Sequence, residues 1–159
     1  MRPGELAPDF TAPSSTGASF QLTAALAQGP VVLFFYPKAF SAGCAIEVGH
    51  FQARLGEFRA LGALPVGISR DRPETQTRFA ADCSTEFPLL ADVDGRVSRA
   101  YGVKRPAPLP DARATFVIAP DNRVMAVIRN EIDMKAHAGG ALRALANAQP
   151  AKNSLSGAQ

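Results

Sequence analysis

Two cysteines, Cys44 and Cys83, and two histidines, His50 and His137, are the side chains of this sequence with the widest range of chemistry. A thiolate is a nucleophile and a metal ligand, and two thiols can exchange into a disulfide. Two cysteines cannot complete a tetrahedral thiolate cluster, and the histidines lie far apart without metal-ligand spacing, so no metal site is expected. Cys44 follows an apolar run and a loop, Pro37 to Gly43, and falls in the first turn of a predicted helix. Unpaired N–H groups and the helix dipole favour an anion at that place. An ordinary thiol has a pKa near ~8.5, and lowering it by two units takes about 2.7 kcal/mol, whereas a helix terminus supplies only ~0.3–1 kcal/mol. A reactive Cys44 therefore needs a second positive group. The competing reading is a small buried hydrophobe, the commonest fate of a free cysteine.

The chain that must position these residues has 159 residues, 47% of them hydrophobic and 19% charged, with 13 Gly, 13 Pro and no Trp. That length suits one domain, which needs no disulfide or metal to fold. Its composition is too apolar for a disordered chain, and no apolar run approaches the ~18 residues of a membrane span. The net charge of +3 comes from scattered Lys and Arg, the densest group being Lys104-Arg105, so neither nucleic acid nor a membrane is expected as a partner. The start, MRPGELAPDF, lacks the apolar core of a signal peptide, so a cytoplasmic location is expected, where thiols stay reduced. A single domain over residues 1–149 is expected, followed by a flexible tail over 150–159, which is small and polar.

Prolines and glycines in the first twenty residues predict extended segments and a turn, and Thr23 to Gln28 a short helical turn ended by Gly29-Pro30. Val31 to Tyr36 is a continuous β-favouring run, as expected of a strand buried on both faces. Ile46, Phe51, Leu55, Phe58 and Leu61 recur at near-helical spacing, predicting one apolar stripe after the loop. A second buried strand is expected at Leu64 to Ser69, and a helix opened by Pro73 runs to about Cys83. Phe87 to Ala91, a short helix near Val97 to Tyr101 and a proline-rich loop follow. Thr115 to Ala119 and Val124 to Arg129 flank a four-residue turn and read as a hairpin, and a helix from about Met134 to Asn147 closes the domain, weakened at Gly139-Gly140. This order predicts an α/β fold, with a central mixed sheet covered by helices on both faces. A thioredoxin-like fold fits it.

The segment Phe35-Tyr36-Pro37-Lys38-Ala39-Phe40-Ser41-Ala42-Gly43-Cys44-Ala45-Ile46-Glu47 resembles the active-site motif of peroxiredoxins, closest to the peroxiredoxin Q or bacterioferritin comigratory protein group. Pro37, Ser41 and Cys44 match the proline, hydroxyl residue and peroxide-reacting cysteine of that motif, and Glu47 fits as well. Gly4 to Phe10, Phe87 to Asp92 and Arg113 to Ile118 also look familial, so the similarity spans about Pro3 to Leu145. The resemblance implies a thioredoxin-fold thiol peroxidase, with peroxide substrates, a thiol reductant such as thioredoxin, and no metal, haem or flavin. It implies that the Cys44 thiolate takes an oxygen from the peroxide and becomes a sulfenic acid. Arg113 would supply the missing positive charge, the Ser41 hydroxyl would bond the peroxide, Pro37 would shield the thiolate, and Glu47 would brace an arginine. Outside that resemblance Arg113 would be a surface arginine, Ser41 a turn or cap residue, and Pro37 a strand terminator.

Four departures stand out. Ser41 replaces the commoner threonine, Ala42 a common proline and Ala45 a common threonine, and Gly49 occupies the frequent resolving-cysteine position. Cys83 resembles the alternative resolving cysteine on the next helix, about one turn later than expected. If it resolves, local unfolding around Cys44, Cys83 or both is expected, because a disulfide needs Cα atoms within ~4.4–6.8 Å. A permanent disulfide, a one-cysteine enzyme reduced by an outside thiol, and a catalytically idle sensor or interaction domain are the alternatives. A thiol–disulfide oxidoreductase would want a Cys-x-x-Cys pair, which is missing. A monomer is expected.

Overall fold

The computed structural model describes residues 1–148; the tail over 150–159 lies outside the described residues. The chain runs β1 (Thr11–Pro13), β2 (Ser19–Gln21), α1 (Leu22–Leu26), β3 (Val31–Phe35), α2 (Ala42–Ala53), α3 (Leu55–Ala60), β4 (Leu64–Ser69), α4 (Pro73–Asp82), β5 (Leu89–Ala91), α5 (Arg96–Ala100), β6 (Ala114–Ile118), β7 (Val124–Arg129) and α6 (Lys135–Ala148). Five strands form one sheet in the order β5-β4-β3-β6-β7, and β1 and β2 form a small antiparallel pair. Strand β3 is parallel to β4 and antiparallel to β6, so the sheet is mixed, as expected.

The strand β3 shows why two layers of helix are needed. All five of its residues are buried. Val31, Leu33 and Phe35 enter one core with Leu22 and Leu26 of α1 and Val97 of α5. Val32 and Phe34 enter the other, with Val48 and Phe51 of α2, Phe58 of α3, Phe79 of α4 and Leu142 of α6. Side chains alternate across a strand, so an uninterrupted apolar run requires cover on both faces. No helix among the described residues is long and apolar enough to cross a membrane.

The single apolar stripe expected from Ile46 to Leu61 is corrected in two respects. The helix breaks at Arg54, whose φ of −104° and ψ of 14° leave the helical region, and whose guanidinium grips Glu57 at 2.7 and 2.9 Å. The break turns Phe58 back onto Phe51 (ring centroids 5.6 Å apart), while Phe51 stacks on Phe34 at 4.0 Å. Ile46 faces solvent instead of the core, being 55% exposed. Helix α1 also opens one residue before the expected Thr23. Strand pairing explains how the site is assembled. Phe35 pairs with Ala114, so Arg113 stands beside the exit of β3, where the loop to α2 begins.

Candidate active site

Helix α2 starts at this exit, capped by Ser41, whose Oγ accepts from the Cys44 backbone N–H at 3.4 Å and donates to the Lys38 carbonyl at 2.9 Å. Cys44 is thus the third helical residue, within the turn whose N–H groups favour an anion. Cys44, Glu47, Val48 and Phe51 form the buried stripe of α2, at spacings of three and four residues. That stripe places Glu47 one turn below Cys44, facing the sheet.

Arg113 reaches both. Its Nη2 donates to Cys44 Sγ at 3.4 Å and its Nη1 to Glu47 Oε1 at 2.8 Å. The guanidinium is largely enclosed and the carboxyl fully so, with side-chain exposures of 11% and 0%. The second positive group required at the helix terminus is therefore in contact with the sulfur. Burial pushes the Glu47 carboxyl up to about 8 and outweighs the opposing pull of Arg113. Arg113 thus bridges a sulfur and a carboxyl whose charged form burial disfavours.

The structure adds residues that the sequence did not single out as part of the site. Gly43 lies against the arginine: a Cβ there would sit 2.9 Å from Arg113 Nη2 and 3.7 Å from the Met134 sulfur. His137 of α6 is fully buried beside Glu47, with Nδ1 3.8 Å from Oε2. The same Nδ1 lies 2.8 Å from Thr115 Oγ1, and Nε2 lies 2.8 Å from the Asn130 carbonyl oxygen. A histidine on the buried stripe His137-Ala138-Ala141-Leu142-Leu145 was the available signal, since such a ring must find polar partners.

Of the residues singled out from sequence, Cys44, Ser41, Glu47 and Arg113 come together. Pro37 closes β3 and lines a shallow depression with Arg70, Val93, Leu109, Pro110 and Asp111. Cys83 is the C-terminal cap of α4 and packs, half-buried, against the same apolar cluster that contains Cys44. Both thiols are free in this structure. Burial, and secondarily Asp82, pushes the Cys83 thiol up. Among the described residues, no group of three or more His, Cys, Asp or Glu side chains could hold a metal ion.

A family model described as "AhpC/TSA family" matches residues 3–127, which include Cys44, Cys83 and Arg113. The chain belongs to the AhpC/TSA family. Solved AhpC/TSA relatives share its fold. The crystal structure of peroxidoxin BcpB from Mycobacterium tuberculosis is 42% identical with a TM-score of 0.89, covering 92% of this chain and 97% of that one. The Xanthomonas campestris bacterioferritin comigratory protein, described for its alkyl peroxide reduction activity, is 31% identical with a TM-score of 0.83, covering 93% and 99%. Peroxiredoxin Bcp of Escherichia coli is 35% identical over 65% of each chain. The fold is thus the thioredoxin-like arrangement that the resemblance implied and that the element order fits.

Proposed function

We propose that Cys44 is the peroxide-reacting thiol of this chain, a thiol-dependent peroxidase of the peroxiredoxin kind. The observation that carries the reading is the 3.4 Å approach of Arg113 Nη2 to Cys44 Sγ at the start of α2. The thiolate attacks one oxygen of a hydroperoxide, forming an S–O bond while the O–O bond breaks. The sulfur is oxidised to a sulfenic acid, and the departing hydroxide or alkoxide takes a proton from solvent to leave as water or alcohol. Arg113 stabilises the thiolate and the charge that develops on the peroxide oxygens. Ser41 offers its hydroxyl beside them, Pro37 limits water at the loop, and Glu47 braces Arg113.

Cys83 resolves the sulfenic acid: its sulfur bonds to Cys44 Sγ, and the sulfenic oxygen leaves as water. A thiol reductant such as thioredoxin then restores both thiols. Exposing the last turn of α4 also favours the attack, because it removes the burial that holds the Cys83 thiol up. A monomer working in the cytoplasm, where such reductants keep thiols reduced, completes the reading.

The test is peroxide consumption by wild type, Cys44→Ser and Cys83→Ser, each with dithiothreitol and with thioredoxin. Cys44→Ser should be inactive with both reductants, and Cys83→Ser inactive with thioredoxin alone. Activity surviving in Cys44→Ser sinks the assignment of the thiol. Full thioredoxin-driven activity in Cys83→Ser makes this a one-cysteine enzyme.

A further inference from the structure

His137 takes no part in the chemistry above, yet it is fully buried against it. The Asn130 carbonyl oxygen, 2.8 Å from Nε2, can only accept, so Nε2 carries a hydrogen in either protonation state. Nδ1 is the ring atom able to gain or lose one. The Thr115 hydroxyl, 2.8 Å from Nδ1, suits both states, since it can donate to a lone pair or accept from an N–H. Glu47 Oε2 lies 3.8 Å from the same nitrogen, buried and without a hydrogen-bond partner.

We infer that His137 is a positioning residue that shares one proton with Glu47, between Nδ1 and Oε2, so that Arg113 meets the Cys44 thiolate with its charge undivided. The inference rests on the peroxidase reading of Cys44. An ionised Glu47 beside a neutral imidazole would set two anions, carboxylate and thiolate, against one guanidinium in an enclosed site, an arrangement strongly disfavoured by desolvation. One shared proton makes the Glu47–His137 pair neutral, whether written as acid and imidazole or as carboxylate and imidazolium. It also gives the orphaned Oε2 a partner after a small closing movement.

The other charged groups around the pair are already engaged or lie towards its rim. Glu131 faces Arg105 at 3.6 Å and accepts from the Arg113 backbone N–H at 3.0 Å. Asp133 accepts from the Lys135 backbone N–H at 3.0 Å. On α2, His50 feels Arg54, Lys135, Asp133 and Glu57. Burial acts on the two partners in opposite senses, raising Glu47 and lowering His137, so in each case it disfavours the charged form.

The test is the pH dependence of the reaction of Cys44 with hydrogen peroxide, followed by stopped flow, with nitrogen NMR of the His137 ring. In wild type the rate should rise as the thiol ionises and fall again on the alkaline side, as the pair loses its proton. His137→Asn keeps a polar group near Thr115 but cannot hold a proton, and should move the alkaline fall towards neutral by about one pH unit. Glu47→Gln should lose the alkaline fall, and adding His137→Asn to it should not alter the profile further. In wild type the Nδ1 signal should change over the same pH range as the fall, a reading that holds even if His137→Asn does not fold. A flat alkaline profile in active wild type, an unmoved fall in His137→Asn, or an Nδ1 signal silent across that range overturns the inference. Failure of the peroxidase reading looks different: wild type would not consume peroxide, and the ring signal would still report on the pair.

Discussion

The missing side chain of Gly43 and the guanidinium of Arg113 compete for the same space: a Cβ on Gly43 would lie 2.9 Å from Nη2, the nitrogen that donates to Cys44. Glycine here is a matter of close approach rather than backbone freedom, because its helical conformation is open to any residue. The contact between cation and sulfur depends on an absent methyl group.

Gly43→Ala should therefore fold and yet react slowly. Alanine favours the helix, so thermal stability should hold or rise, while the displaced guanidinium lowers the rate with peroxide by roughly 10-fold to 10²-fold. Stopped-flow oxidation beside a melting curve separates the two effects. An unchanged rate would mean that Arg113 shifts without consequence.

Arg113→Lys tests the forked geometry directly. One ammonium cannot bridge Cys44 Sγ and Glu47 Oε1 as two guanidinium nitrogens do. The rate constant for peroxide should drop by about 10² or more, the scale seen when one preorganised donor is lost. A lysine variant reacting at the wild-type rate would show that charge alone suffices.

Ser41 serves the helix before it serves any substrate. Removing its hydroxyl in Ser41→Ala deletes the cap on the Cys44 N–H and the bond to Lys38, and should destabilise the fold by about 1 kcal/mol in denaturant unfolding. Ser41→Thr keeps both bonds and should restore the loss. Equal stability in all three proteins would remove the capping role.

The buried carboxyl gives stability a pH slope of known sign. Glu47 holds its proton up to about 8 in the fold, against 4.5 as the ordinary value, so the native state binds more protons across that window. Its contribution is present at acid pH and fades as pH rises from about 4.5 to about 8. His137, lowered by burial, acts in the opposite sense and weakens the fold as pH falls below 6.5. Glu47→Gln should flatten the decline on the alkaline side of the stability profile. A profile with the same slope in both proteins would place the proton elsewhere.

Much of the fold could be read from local pattern. The run Val31 to Tyr36 announces a strand buried on both faces, and Pro73 announces the start of α4, because each depends on neighbours in sequence. The break at Arg54 could not be read so, because Phe51 and Phe58 both meet the core only after the sheet is in place. The site divides along the same line. Cys44 and Glu47 share a helix face that spacing alone defines, whereas Arg113 joins them through the Phe35–Ala114 register. His137 stayed hidden because its partners, Thr115, Asn130 and Glu47, come from three other parts of the chain. The sheet brings them together.

Buried inside α4, Gln76 takes a hydrogen bond from the Tyr36 hydroxyl at 2.7 Å and gives one to the Leu90 carbonyl at 2.6 Å. These two bonds rivet the middle of the helix to the end of β3 and to β5, while its far end closes on Ser84 in the left-handed region, at φ 53°. The helix is therefore a lever with a fixed fulcrum at Gln76. Any travel of Cys83 towards Cys44 is confined to the stretch beyond that rivet, about 10 Å of helix at ~1.5 Å per residue. Release of this short arm would leave the strand that carries the Cys44 loop undisturbed.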